Sequence, residues 1–123
     1  VMTFRSIGRL LLLVAALVLL AGGCAKSQPW TATAETLYLD VRTRSEFAGG
    51  HVPNASNVPV DEIGGAAALI GAKDRHVVVY CRSGSRAGTA QAALQALGFT
   101  NVVNGGSAGA VADKLGVPLT APE

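Results

Sequence analysis

A run of apolar, β-favouring residues, Val77-Val78-Val79-Tyr80, leads directly into Cys81-Arg82-Ser83-Gly84-Ser85-Arg86. After Arg86 the residues Ala87, Ala90, Leu94 and Leu97 recur at helical spacing. This succession constrains the fold more than any other stretch of the chain. The apolar run reads as a strand buried on both faces, which belongs in a parallel sheet, and Gly98 reads as the stop of the helix. Between the two lies a six-residue loop that begins with a cysteine.

Strand, tight loop and helix together make an anion site. The first N–H groups of a helix have no partner within it and face whatever the loop holds. Ser83, Gly84 and Ser85 let the loop curl until successive amides converge. Arg82 and Arg86 add two full positive charges. A thiol at the mouth of such a cradle ionises readily. A helix end contributes ~2 kcal/mol to a nearby anion at best, so the arginines and loop amides must supply part of any large lowering of the thiol. The bland alternative is an inert core cysteine, which leaves the two arginines unexplained. The reactive reading sets two conditions: solvent must reach residue 81, and the loop amides must aim at it.

In chain order, Thr36–Val41 reads as a strand. Thr43-Arg44-Ser45-Glu46 has the form of a capping box that starts a short helix, ended by Gly49 and Gly50. Asp40 and Arg42 fall at a strand end, on the side where open α/β sheets bind ligands. A supporting role is expected for them, through an ion pair with Glu46 or a bond to loop backbone. Residues 55–60 read as a second strand limited by Pro59, and Asp61 as the cap of a helix reaching Ile70, weakened by Gly64 and Gly65. His76 falls in a charged turn and reads as solvated. Asn101-Val102-Val103 is a further strand, Gly105-Gly106 a tight turn, and Ser107 the cap of a last helix to Leu115. The fold class expected is α/β, a small and mostly parallel sheet flanked by helices.

Val77–Ala87 resembles the active-site loop of rhodanese-type sulfurtransferases. Leu39-Asp40-Val41-Arg42 with Glu46-Phe47 and His51-Val52-Pro53-Asn54-Ala55 resembles that family's second signature. Gly98–Val103 with Gly105-Gly106 resembles the segment after the catalytic helix. The likeness spans roughly residues 37–118 and is nearest to short exported single-domain members of the phage-shock type. It implies Cys81 as the catalytic nucleophile, a substrate-binding cradle of Arg82, Ser83, Gly84, Ser85 and Arg86, and a largely architectural His51. Two departures stand out. Family members usually carry a strand and helix before the Asp-Val-Arg motif, for which there is little room here. A tryptophan often follows the glycine pair, where this chain has Gly109-Ala110-Val111.

The first 23 residues have the layout of a secretory signal: Arg5 and Arg9, an apolar run from Leu10 to Ala21, then small residues. The run is short of the ~20 residues that span a bilayer. Leu19–Ala25 resembles a lipobox with Cys24 as the acylated residue, although Ala21 stands where leucine is preferred. Residues 24–35 then read as a lipid-anchored tether in which Trp30 packs on the domain or meets the membrane, residues 36–119 as the folded domain, and 120–123 as a loose tail. The export reading places the protein in the periplasm or on the outer side of the cytoplasmic membrane; cleavage without lipidation leaves it soluble.

Among 123 residues the net charge is +2, and Arg5 and Arg9 account for the whole excess. From Cys24 onward the chain is neutral, which removes the electrostatic case for nucleic acid. No spacing of histidines, cysteines and carboxylates suggests a metal site, and no cofactor is expected. The partners expected are a small sulfur donor and a thiol or cyanide acceptor, with the protein acting as a monomer. With Cys24 acylated, Cys81 is an unpaired thiol in an oxidising compartment, and holding sulfur as a persulfide is one task that suits it. A phosphatase or arsenate reductase of the cysteine type is disfavoured, because those loops place five residues between Cys and Arg and this one places four. A non-turnover carrier or partner-binding module remains the main alternative.

Overall fold

Residues 27–120 are described by a computed structural model of the chain; Cys24 and the signal-like segment lie outside them. Four strands, β1 (Leu37–Asp40), β2 (Ser56–Asn57), β3 (Val77–Cys81) and β4 (Val102–Ser107), form one sheet in the order β2-β1-β3-β4. All three pairings are parallel. Helices α1 (Arg44–Ala48), α2 (Ala66–Ile70), α3 (Ser85–Ala96) and α4 (Ala108–Leu115) connect or follow them. β3 is central, and all five of its residues are buried, as an apolar run without alternation requires.

The two faces of the sheet carry separate cores. Leu39, Val77, Val79 and Cys81 pack with Ala87, Ala90 and Leu94 of α3 and with Phe99. On the opposite face Val78 and Tyr80 pack with Val52, Val111 and Trp30. Leu97, the last of the residues recurring at helical spacing, is exposed. It falls at the C-cap of α3, beyond the buried positions Ala87, Ala90 and Leu94.

Thr43 caps α1 as its sequence predicts: its side chain accepts from the Glu46 N–H, and the Glu46 carboxylate accepts from the Thr43 N–H. Ser107 likewise accepts from the Ala110 N–H at 3.0 Å and starts α4. Three other readings change. The second strand is only two residues long. The helix expected from Asp61 is a 3₁₀ segment, Val60–Gly65, followed by α2, and Asp61 makes no cap because Pro59 stands at the start. Gly105-Gly106 is not a turn but lies within β4. A Cβ on Gly105 would sit 2.7 Å from the Val78 Cγ1 and 2.8 Å from the Val111 Cγ2, so close packing, rather than a bend, selects glycine there.

The ends of the domain are tied down. Trp30 is buried, meets Tyr38 edge-on with ring centroids 6.0 Å apart, and lies beneath Lys114 Nζ. The Gln28 N–H donates to the Asn104 carbonyl at 2.9 Å. The described part of the expected tether therefore lies along the domain. At the other terminus the Thr120 N–H donates to the His51 carbonyl at 2.7 Å, so this residue of the expected loose tail is paired.

Candidate active site

Cys81 is the last residue of β3, and α3 begins at Ser85, two residues earlier than the sequence reading placed it. The cradle is therefore a three-residue turn, Arg82 to Gly84, plus the first turn of a helix. Gly84 occupies the N-cap with φ 94°, a left-handed conformation open to glycine at little cost. Gly84 has no side chain with which to cap α3; the Ser85 N–H reaches the Ser83 Oγ at 3.5 Å, and the amides on either side of it are left for the loop interior.

They meet the sulfur. The Gly84 N–H donates to the Cys81 Sγ at 2.9 Å. Burial pushes the Cys81 thiol up, but the N–H groups of Ala87, Ser83, Gly84 and Arg86 outweigh it and hold the thiol below its ordinary value. The condition that the amides converge is met. The condition of exposure is not: Cys81 has no accessible surface, although Arg82, Ser83 and Ser85 around it are exposed. The sulfur sits on the floor of the cradle, beneath its own loop, rather than at the mouth.

The two arginines separate. Arg86 is bound bidentately to Glu46, Nη1 to Oε1 at 2.7 Å and Nη2 to Oε2 at 3.0 Å. That pair, with the capping bonds from Thr43, draws the Glu46 carboxyl down to about 2. Arg86 thus fastens the first turn of α3 to α1, and its charge is largely spent on a carboxylate. Arg82 has no ion-pair partner among the described residues and lines an open cleft with Arg42, Ser45, Glu46, Gly50 and Leu119. Among the described residues Arg82 is the cation on that cleft that no carboxylate claims.

Asp40 and Arg42 pair with each other rather than with Glu46. The Arg42 Nη2 donates to the Asp40 Oδ2 at 2.6 Å and to the Gly50 carbonyl at 2.8 Å, and its Nε reaches both carboxylate oxygens at 3.0 Å. Asp40 is fully buried. This is support for the loop Val41–Gly50 rather than chemistry. His51 donates through Nδ1–H to the Phe47 carbonyl and stacks on the Phe47 ring, an architectural position. His76 is not simply solvated: its Nδ1 meets the Thr36 Oγ1 at 2.8 Å, at the opposite end of the sheet.

Glu46 as the partner of Arg86 was not assigned from sequence. Its signal was visible as part of the capping box, but a contact across forty residues has no local signature. Among the described residues no group of three or more His, Cys, Asp or Glu side chains is placed to hold a metal ion.

The family model for the rhodanese-like domain matches residues 25–111. A sulfurtransferase of Allochromatium vinosum is 38% identical over 97 residues, covering 79% of this chain and 90% of that protein. The thiosulfate sulfurtransferase PspE of Escherichia coli is 34% identical over 70 residues, covering 56% of this chain and 67% of its own. Among solved structures, a rhodanese with anions from E. coli superimposes with a TM-score of 0.63 at 30% identity, covering 70% of this chain and 98% of that one.

Proposed function

The chain belongs to the rhodanese-like domain family, and from that premise we propose that it transfers sulfane sulfur from thiosulfate to a thiol or cyanide through a persulfide on Cys81. The observation that carries this is the Gly84 N–H donating to the Cys81 Sγ at 2.9 Å where β3 runs into α3, with the neighbouring amides of Ala87, Ser83 and Arg86 also favouring the thiolate. The Cys81 thiolate attacks the outer sulfur of thiosulfate and forms a new S–S bond. The bond between that sulfur and the sulfonate sulfur breaks, and its electron pair leaves with sulfite. The acceptor then attacks the outer sulfur, and the electron pair of the cysteine–sulfur bond returns to Cys81. The loop amides stabilise the anion at each stage. Arg82 draws in the dianion, and Arg86 holds the helix end in place.

Because the sulfur is covered, the donor reaches it only when the cradle opens. Burial favours a second reading as well: a persulfide sealed from solvent persists, as a carrier module requires. One experiment separates them. The full chain incubated with thiosulfate and cyanide should form thiocyanate catalytically, and Cys81→Ser should form none. A stable mass increase of about 32 Da, one sulfur atom, with no turnover favours the carrier. Absence of both outcomes ends the sulfur-transfer reading.

The export reading is part of the same proposal. The basic, apolar and small-residue succession of residues 5–24 supports translocation, with Cys24 lipidated and the domain facing an oxidising compartment as a monomer. Mass analysis of membrane-fraction protein for an acylated Cys24 tests it; a mature chain without that modification refutes the anchor.

A further inference from the structure

We propose that Asn104 is a positioning residue for the Cys81 cradle, fixing Gly84 by its carbonyl while the Gly84 N–H faces the sulfur, and that Gln28 holds Asn104 from outside the sheet. The proposal rests on the reading of Cys81 as the sulfur-bearing nucleophile.

Three polar or charged side chains are buried among the described residues: Asp40, Arg42 and Asn104. The first two answer each other. Asn104 spends its side chain on backbone alone. Its Nδ2 donates to the Gly84 carbonyl at 3.0 Å, and its Oδ1 accepts from the Gly106 N–H at 2.9 Å. One partner can only accept and the other can only donate, so the amide has one orientation that satisfies both.

Gly84 needs such a hold. It has no side chain, it sits at φ 94°, and as the N-cap of α3 it makes no side-chain bond of its own. Its N–H donates to the Cys81 Sγ while its carbonyl, on the other side of the same Cα, accepts from the Gly88 N–H and from Asn104. A glycine here can rotate at small cost, and rotation removes an amide from the sulfur. A register shift makes the reach from β4 possible. Val79 pairs with Asn104 but Cys81 pairs with Ser107, so β4 carries an extra residue beside the loop. Such bulges redirect side chains next to sites of chemistry.

Asn104 is itself held from upstream. The Gln28 N–H donates to the Asn104 carbonyl at 2.9 Å, and the Gln28 Oε1 accepts from the Asn104 N–H at 3.1 Å and from the Gln91 Nε2. Gln91 also donates to the Val102 carbonyl at 3.0 Å. A continuous chain of hydrogen bonds thus runs from the segment preceding the sheet, through β4, to the nucleophile.

The test is the pH dependence of alkylation at Cys81 by iodoacetamide, read peptide by peptide so that Cys24 does not interfere. Because Cys81 is covered, the rate also reflects opening of the cradle, which scales it at every pH; the midpoint, which follows the thiolate, is therefore the readout. In Asn104→Leu and Asn104→Ser, neither of which adds a charge, the midpoint should move upward by about 0.5–1 unit, the size expected for one weakened hydrogen bond to the thiolate. Gln28→Ala should move it in the same direction by less. An unchanged or lower midpoint in a folded Asn104 variant overturns the proposal. Should both Asn104 variants fail to fold, the unsubstituted chain decides: its Asn104 side-chain amide protons should exchange slowly, and exchange as fast as an exposed amide overturns it too. If thiocyanate forms but the midpoint does not move, this inference alone falls. If the midpoint moves and no sulfur transfer occurs, the sulfurtransferase reading falls and the hold on Gly84 stands.

Discussion

The two ends of the sheet each carry an open cleft, and they differ in everything that matters for chemistry. At the amino ends of the strands, Thr33, Glu35, Asp74, Arg75, His76 and Asn101 line the more spacious of the two. Its polar groups serve the chain itself: His76 meets Thr36, and the Arg75 guanidinium lies over the carbonyls of Glu35, Leu69 and Ile70 at 3.4 Å. At the carboxyl ends the cleft is smaller, yet its wall carries Arg82, the residue that follows Cys81 and opens the loop whose Gly84 amide meets the sulfur. Size therefore does not locate the site; direction does. Parallel strands all deliver their carboxyl ends, and the amino ends of the helices that follow, to the same edge.

Substitutions at the two ends should break this symmetry in a graded way. The largest effect belongs to Cys81→Ser, which should reduce thiocyanate formation to the uncatalysed level; residual turnover would assign the chemistry elsewhere. Next is Asp40→Ala. It leaves the Arg42 guanidinium buried without its partner, and urea denaturation should show a loss of about 3–5 kcal/mol. Retained stability would mean that water reaches the pair. Arg82→Ala should raise KM for thiosulfate several-fold while sparing kcat, with the effect fading as salt screens the exposed charge; a fall in kcat alone would place Arg82 in the chemical step.

Smaller still is Glu46→Gln. The Arg86–Glu46 pair is partly exposed and contributes at most about 1 kcal/mol. Since the folded-state carboxyl is lowered from 4.5 to about 2, this contribution is fully present above pH ~4.5 and is lost as pH falls through about 2. Acid titration of stability should show that loss in the unsubstituted protein and a flatter profile in the variant; parallel profiles would mean the pair is no stronger folded than unfolded. The smallest effect belongs to His76→Ala, at the far cleft, which should leave sulfur transfer unchanged. A drop comparable to that of Arg82→Ala would erase the distinction between the two ends.

Local patterns carried much of this structure. The β3–loop–α3 unit, the capping box at Thr43 and the Ser107 cap each depend on residues within a few positions of one another, so the sequence displays them directly. Where short-range rules compete, the structure departs from the local pattern. Pro59 and the Gly64-Gly65 pair turned an expected helix start into 3₁₀ backbone. Gly105-Gly106 has the composition of a turn and was placed in a strand by the packing of Val78 and Val111. Trp30 was expected on the domain or at a membrane, and the opposite core face takes it.

What the sequence determined by itself was a cysteine loop at the start of a helix, because strand, turn and helix propensities act over neighbouring residues and the amides come with the helix. What only the tertiary structure decided was how that loop is braced and covered. Arg86 was free to serve substrate until Glu46, forty residues away, claimed it. Gly84 was free to rotate until Asn104, twenty residues away, met its carbonyl. Such contacts depend on which strands become neighbours and in what register, and that is settled by burial of whole faces rather than by any residue's local preference.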